Sequence, residues 1–118
     1  MSEEILDLKE VLDRVQDDKE LLLELFDIFV PDYAAKRTLL GKAIDTNDFE
    51  QVISIAHSLK GASGNISAKL LRGTFMRLET MGKAGSLSDA HEILKLMDQQ
   101  YKDLLVRIEE IRQEFKIN

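Results

Sequence analysis

The chain has 118 residues, of which 16 are Lys or Arg and 22 are Asp or Glu, so its formal net charge is −6. The length suits one domain with its own core, and the acidic balance argues against a nucleic-acid-binding protein, which needs a basic face. The absence of cysteine excludes a disulfide framework, a thiolate metal site and a cysteine nucleophile.

Apolar residues recur at intervals of three and four along the chain, which predicts helices. The first predicted helix has its apolar face over residues 5–15, and Asp17 and Asp18 are candidate caps for the second. The apolar pattern resumes directly after Pro31, so we predict one long, bent helix to about Asp45. Its predicted apolar positions are Leu21, Leu22, Leu25, Ile28, Phe29, Tyr33, Ala34, Leu39, Leu40 and Ile44.

The third predicted helix follows a break over residues 46–48, which includes a capping residue, and begins at Phe49. Gly64 and Asn65 are expected to end it, because either residue tolerates a left-handed backbone. Its apolar stripe is centred on Val52, Ala56, Leu59 and Ser63.

The last two predicted helices lie between Ser67, the expected cap of the fourth, and the C-terminus. Gly82 and Gly85 are expected to end the fourth helix, and Ser86 or Ser88 to open the fifth. The fifth has apolar positions at Ala90, Ile93, Leu94, Met97, Tyr101, Leu104, Leu105, Ile108, Ile111 and Phe115. No segment alternates with period two, so we predict an all-α fold. Its expected form is a single domain over residues 1–118, an antiparallel up-down four-helix bundle with an additional short N-terminal helix.

His57 is the candidate nucleophile. It lies off the apolar stripe of the third helix and is expected to face solvent. Gly61 and Gly64 follow it one and two turns on, although glycine in a helix interior costs about 1 kcal/mol relative to alanine. The glycines either clear space for a partner that approaches the imidazole or serve only as termination signals beside an ordinary surface histidine. Lys60, three residues on, would reach an anion held on the imidazole.

The segment His57-Ser58-Leu59-Lys60-Gly61-Ala62-Ser63-Gly64-Asn65-Ile66 resembles the phosphoacceptor signature of histidine-containing phosphotransfer (HPt) domains. That pattern is His-x-Leu-Lys-Gly, followed by small residues and an aliphatic residue. The resemblance extends to the Leu-rich stretch 22–29, the turn 47–49 and the helix end 78–85. Ser67 departs from the family, in which glycine commonly follows the aliphatic residue.

The resemblance implies a phosphorelay intermediate. Such a domain accepts a phosphoryl group on its histidine, here His57, from an aspartyl phosphate on a receiver domain or from a histidine kinase, and passes it to another receiver. The receiver supplies Mg²⁺, so no cofactor is expected on this chain. In the family a polar side chain 22 residues after the histidine orients the imidazole. That position is Glu79 here, which is otherwise a solvated residue, and Lys60 is the expected phosphate neighbour.

The expected partners are response-regulator receiver domains and a (hybrid) histidine kinase. The partner-binding residues that we predict are Ser54, Ser58, Gly61, Gly64, Lys83, Ile5 and Leu8. Core packing explains Ile5 and Leu8 equally well. His91 is expected to be a surface residue without a metal-binding role, and no glycine-rich ATP cradle is present. The chain has neither a basic-then-apolar leader nor a run of ~20 apolar residues, so we expect a soluble, cytoplasmic monomer that binds no nucleic acid or membrane.

Three alternatives remain open from the sequence. The first is a helical module that docks receiver domains without transferring phosphate. The second is a plain scaffold or metal-binding bundle in which His57 is incidental. The third is a phosphoacceptor domain from a larger hybrid or chemotaxis kinase, although a start at Met1 and a helix that ends close to Asn118 favour a free-standing protein.

Overall fold

The fold consists of helices that pack as a bundle. The computed structural model describes residues 4–117, and no strand occurs among them. Its helices are α1 (Leu8–Arg14), α2 (Lys19–Asp45), α3 (Phe49–Asn65), α4 (Lys69–Ala84) and α5 (Ala90–Ile117). Helices α2 to α5 contact their neighbours in chain order, and α5 also contacts α2, which closes the bundle. The predicted all-α bundle with a short N-terminal helix is confirmed.

Aspartates begin the second and third helices, as the sequence predicts. An Asp18 carboxylate oxygen accepts from the backbone N–H of Leu21 at 3.0 Å, and Asp48 accepts from that of Gln51 at 3.2 Å. Each bond satisfies a backbone donor that has no partner within the helix. Helix α2 continues through Pro31 to Asp45, which confirms the prediction of one long helix.

The turn between α3 and α4 differs from the prediction. Helix α3 ends at Asn65, as predicted, but the left-handed residue is Ser67, with φ of 57°, rather than Gly64 or Asn65. The residue that caps α4 is Ala68, which offers no side-chain hydrogen bond. The Ser67 hydroxyl instead donates to the Glu10 carboxylate at 2.9 Å. The predicted cap therefore ties this turn to α1.

Two glycines at the end of α4 have different roles. Gly85 ends the helix with a left-handed φ of 69°, as predicted. Gly82 lies inside α4, and a Cβ atom there would lie 2.8 Å from Cγ1 of Ile53 on α3. Gly82 is therefore a point of close helix approach, and its prediction as a helix end is wrong. Helix α5 begins two residues after Ser88, and so later than either predicted opening.

The core lies between the four long helices and includes several large side chains that are fully buried. These are Phe26, Tyr33, Leu40, Leu59, Phe75 and Met97. Some positions that the apolar pattern predicts to be buried are exposed in the structure. They are Leu21, Ile28, Ala34, Leu39 and Leu105. Four of these are on α2, whose apolar arc is wider than the surface that its neighbours cover. Ile5 and the fully buried Leu6 precede α1 rather than forming part of it.

Candidate functional site

His57 lies on the outer surface of α3, and its side chain is 68% exposed. Its neighbours Ala56 and Leu59 on the same helix are fully buried. The helical period forces this division, because at ~100° per residue His57 falls on the side of α3 away from the stripe of Val52, Ala56, Leu59 and Ser63. The buried face thus anchors the helix while the imidazole stands in solvent.

Glu79 on α4 holds one side of that imidazole. Its Oε2 lies 2.9 Å from Nδ1 of His57, and its side chain is only 8% exposed. An ionised carboxylate can only accept a hydrogen bond, so the Nδ1–H group of His57 is the donor. The neutral ring then carries no proton on Nε2, whose lone pair is free to react. The structure thus brings these two sequence-predicted residues together, and Glu79 is buried rather than solvated.

Two lysines neutralise the buried carboxylate. Lys60 Nζ lies 2.6 Å from Oε1 of Glu79, and Lys83 Nζ lies 3.6 Å from Oε2. The Lys60 hydrogen bond is the main cause that lowers the pKa of Glu79 to about 2, against the opposing effect of burial and with help from His57 and Lys83. The Glu79 carboxylate is therefore ionised at neutral pH. Lys60, the predicted phosphate neighbour, contacts the Glu79 carboxylate.

Ser58, the residue after His57, contacts α2 through a cluster that sequence reasoning missed. Lys36 Nζ lies 2.7 Å from the Ser58 hydroxyl and 3.0 Å from the Asp32 carboxylate. The four-residue spacing of Asp32 and Lys36 was the only signal in the sequence, and it predicts a pair on α2 without indicating α3. Ser58, a predicted docking residue, is thus half-buried against α2.

The other predicted partner-binding residues differ in exposure. Gly61 has no atom within 4 Å of the place a Cβ would take, so the surface beside His57 is open there. Ser54 is exposed, and Gly64 lies under the side chain of Arg72. Ile5 and Leu8 are half-buried against the core, so packing explains much of their apolar character.

His91 lies in the first turn of α5 and contacts a different carboxylate. Its side chain is 66% exposed, and its Nε2 lies 3.4 Å from the Asp45 carboxylate. Within residues 4–117 there is no group of three or more His, Asp or Glu side chains that would hold a metal ion. None of the helices described here is long and apolar enough to cross a bilayer.

Comparison with known proteins gives one consistent result. Residues 24–114 match the model of the Hpt domain family, which leaves α1 outside the match. The chain is 26% identical to histidine-containing phosphotransfer protein 2 of Arabidopsis thaliana over 105 residues, which cover 85% of this chain and 67% of that protein. It superposes on the crystal structure of histidine-containing phosphotransfer protein B (HptB) of Pseudomonas aeruginosa PAO1 with a TM-score of 0.87 and 26% identity, over 96% of this chain and 98% of that one.

A helical bundle that matches this family over most of its length is a phosphotransfer protein of two-component signalling. The chain belongs to the Hpt domain family. It is a phosphorelay intermediate, and proteins of this family relay phosphate with receiver domains and kinases.

Proposed function

We propose that His57 is the phosphoacceptor and that the phosphoryl group is carried on Nε2. The observation that carries this proposal is the contact between Nδ1 of His57 and the buried Glu79 carboxylate. This contact fixes the tautomer, and it leaves a free lone pair on Nε2 of a side chain that is 68% exposed. His91, the other histidine, lies beside the exposed carboxylate of Asp45.

In the transfer step, the Nε2 lone pair attacks the phosphorus of an aspartyl phosphate on a receiver domain. The bond between phosphorus and the aspartyl oxygen breaks, and the carboxylate leaves with the electron pair. No proton has to leave His57, because Nε2 carries none. The product is an imidazolium that has the phosphoryl group on Nε2 and a proton on Nδ1. Glu79 accepts the hydrogen bond from that proton, so its negative charge stabilises the positive ring.

Lys60 has two tasks in this proposal. Before transfer it holds Glu79 through the 2.6 Å contact, and this fixes the carboxylate that orients the ring. After transfer its ammonium is the cation of α3 one turn from the phosphoryl group, and it would share its charge between that group and Glu79. Lys83 supplies a second, more exposed cation at the same carboxylate.

The partner supplies the remaining chemistry. We propose that a receiver domain brings Mg²⁺, which neutralises charge on the transferring phosphoryl group, and that it docks over Gly61. Ser54, Gly64 and Lys83 would lie around the same footprint. The chain would act as a monomer, which its net charge of −6 favours. It would act in the cytoplasm, where a histidine kinase draws on ATP, and sedimentation equilibrium and fractionation test these two points.

Incubation with a phosphorylated receiver domain and Mg²⁺, followed by intact-mass measurement, tests the proposal. We expect a gain of one phosphate that is labile in acid and stable in base. His57→Gln should lower the gain at least ~100-fold, because it removes the nucleophile. His91→Gln is the matched control and should take up phosphate as the wild type does. If His57→Gln is still labelled, or no receiver in a broad panel labels the wild type, His57 is not the acceptor.

A further inference from the structure

An open groove continues the α3–α4 face from the His57 site toward the α3–α4 turn. Its volume is about 650 Å³. Its lining comes from three helices and includes Arg14 of α1, Lys60, Gly61 and Gly64 of α3, and Lys69 and Arg72 of α4. Gly61 leaves the helix surface open along the groove, whereas the Gly64 carbonyl accepts a hydrogen bond from Nη1 of Arg14 at 3.0 Å.

Arg72 occupies a position in this groove that corresponds to that of Glu79 beside His57. Gly64 follows His57 by seven residues on α3, and Arg72 precedes Glu79 by seven on α4. Seven residues turn a helix through ~700°, so each residue faces nearly the same way as its counterpart, ~10 Å along the axis. The Arg72 side chain confirms this register, since its Cδ lies 3.4 Å from the place that a Cβ on Gly64 would take.

Among the described residues, the other basic side chains of the groove contact carboxylates, whereas Arg72 does not. Lys69 contacts the carboxylates of Asp7 and Glu10, and Arg14 also contacts Glu10. Lys60 is engaged by Glu79. Among residues 4–117, no carboxylate forms an ion pair with Arg72. In a chain with a net charge of −6, this face therefore presents an uncompensated guanidinium beside the phosphoacceptor.

We infer that the groove is a second anchor for the receiver domain, and that Arg72 pairs there with an acidic side chain on the receiver surface that surrounds its phosphorylation site. This inference rests on the proposed function. The charge complementarity is general, because a protein that binds Mg²⁺ at its surface does so through carboxylate oxygens, and the phosphoryl group adds negative charge. A guanidinium is suited to the task, since it can donate two parallel hydrogen bonds to one carboxylate.

The anchor serves docking rather than chemistry. Arg72 lies ~10 Å along α4 from Glu79, and its side chain lies over Gly64 rather than over His57. A change at Arg72 should therefore alter receiver affinity and its dependence on salt. It should leave the maximal rate of transfer at saturating receiver nearly unchanged.

A pair of charge reversals on α4 tests the inference. Arg77 is the matched control, because it is also an exposed arginine of α4 without an ion pair among the described residues. It lies five residues on, ~140° around the helix. The Kd for each member of a receiver panel is measured in the presence of Mg²⁺, in a His57→Gln background that takes up no phosphate. Transfer rates against receiver concentration are measured separately in chains that retain His57.

We expect Arg72→Glu to raise the Kd about tenfold and to flatten its salt dependence, whereas Arg77→Glu changes it less than twofold. Equal effects of the two reversals, or an effect on the maximal transfer rate alone, would overturn the inference. Inorganic phosphate is titrated as a further probe. If it binds the free chain through Arg72 and competes with no receiver, the groove is a small-anion site and the docking assignment is wrong. The Kd comparison does not depend on phosphoryl transfer. A failure of every receiver to label His57 would therefore contradict the proposed function and leave the docking result to be judged separately.

Discussion

His57 and His91 both lie on helix surfaces, with side chains 68% and 66% exposed, and each has a carboxylate nearby. The carboxylates differ. Glu79 is 8% exposed and lies 2.9 Å from Nδ1 of His57, whereas Asp45 is 66% exposed and lies 3.4 Å from Nε2 of His91. Water competes for the exposed pair, and such pairs contribute about 0–1 kcal/mol. The exposure of a histidine therefore does not distinguish a site, but the burial of its partner does.

The buried Glu79 carboxylate needs a neighbouring cation to stay ionised, whereas the exposed Asp45 carboxylate is solvated by water. Removing Glu79 from water would favour its neutral form, and the Lys60 hydrogen bond reverses that tendency, so that its pKa falls to about 2. Two helices and a cation thus hold a fixed negative charge against one ring nitrogen of His57. A fixed charge of this kind stabilises an imidazolium without reorganisation at the time of reaction.

The largest effect should follow from removing that charge while keeping its shape. We expect Glu79→Gln to slow phosphoryl transfer to His57 about 10- to 100-fold, because the amide still accepts from Nδ1–H but no longer offsets the positive ring. Asp45→Asn, the equivalent change beside His91, should alter the rate less than twofold. The ¹⁵N NMR shifts of the His57 ring report its tautomer and separate a positioning role from a general loss of structure. Equal rates for the two variants would contradict the comparison.

The same pair of variants should differ in the dependence of stability on pH. The folded-state pKa of Glu79 is about 2, below the usual 4.5. The native form therefore binds this proton less readily than the unfolded form. The resulting stabilisation is present above about pH 4.5 and is lost as the pH falls toward about 2.

Urea unfolding of wild type and variants at about pH 7 and about pH 2.5 measures this dependence. The difference in the free energy of unfolding between wild type and Glu79→Gln should shrink strongly at the lower pH. The difference for Asp45→Asn should stay small at both, because the pair is exposed. A Glu79→Gln difference that is constant over this range would show that the carboxylate is not the source.

Local chemistry made much of the fold predictable. Asp18 and Asp48 mark helix starts because a cap bonds to a backbone group only three residues away. Ser67 was misread because its hydroxyl bonds to Glu10, which is 57 residues away in sequence. That contact depends on where α1 packs, and no local pattern carries this information. The exposed positions Ile28 and Leu39 were misread for a related reason, since the pattern does not reveal how far neighbours cover α2.

The candidate site also combines features that the sequence predicts with features that depend on how the helices pack. The exposure of His57 follows from the period of its own helix, and the position of Glu79 came from a family resemblance rather than from spacing. The contacts of Lys60 with Glu79 and of Lys36 with Ser58 each join two helices. They depend on the register and separation of those helices, which the sequence of one helix does not determine. Gly82 controls part of that separation, although its pattern indicates only a helix end.

The smallest expected effects concern two glycines that should respond in opposite directions. Alanine is favoured over glycine by about 1 kcal/mol within a helix. At Gly61 nothing lies within 4 Å of the new methyl group, so Gly61→Ala should gain up to that amount in the free energy of unfolding. At Gly82 the methyl group would lie 2.8 Å from the stiff side chain of Ile53, and overpacking typically costs about 1–3 kcal/mol.

Gly82→Ala should therefore be destabilised by about 1 kcal/mol net, and the strain should push α4 away from α3. Because Glu79 is part of α4, its hydrogen bond to His57 would lengthen. The ¹⁵N shifts of the His57 ring would then move toward those of a free imidazole. The shifts of His91 should not change, since its carboxylate partner lies at the end of α2. Denaturant unfolding and NMR of both variants measure these effects. If Gly82→Ala is as stable as Gly61→Ala and leaves the His57 ring unaffected, close contact at Gly82 does not set the geometry of the site.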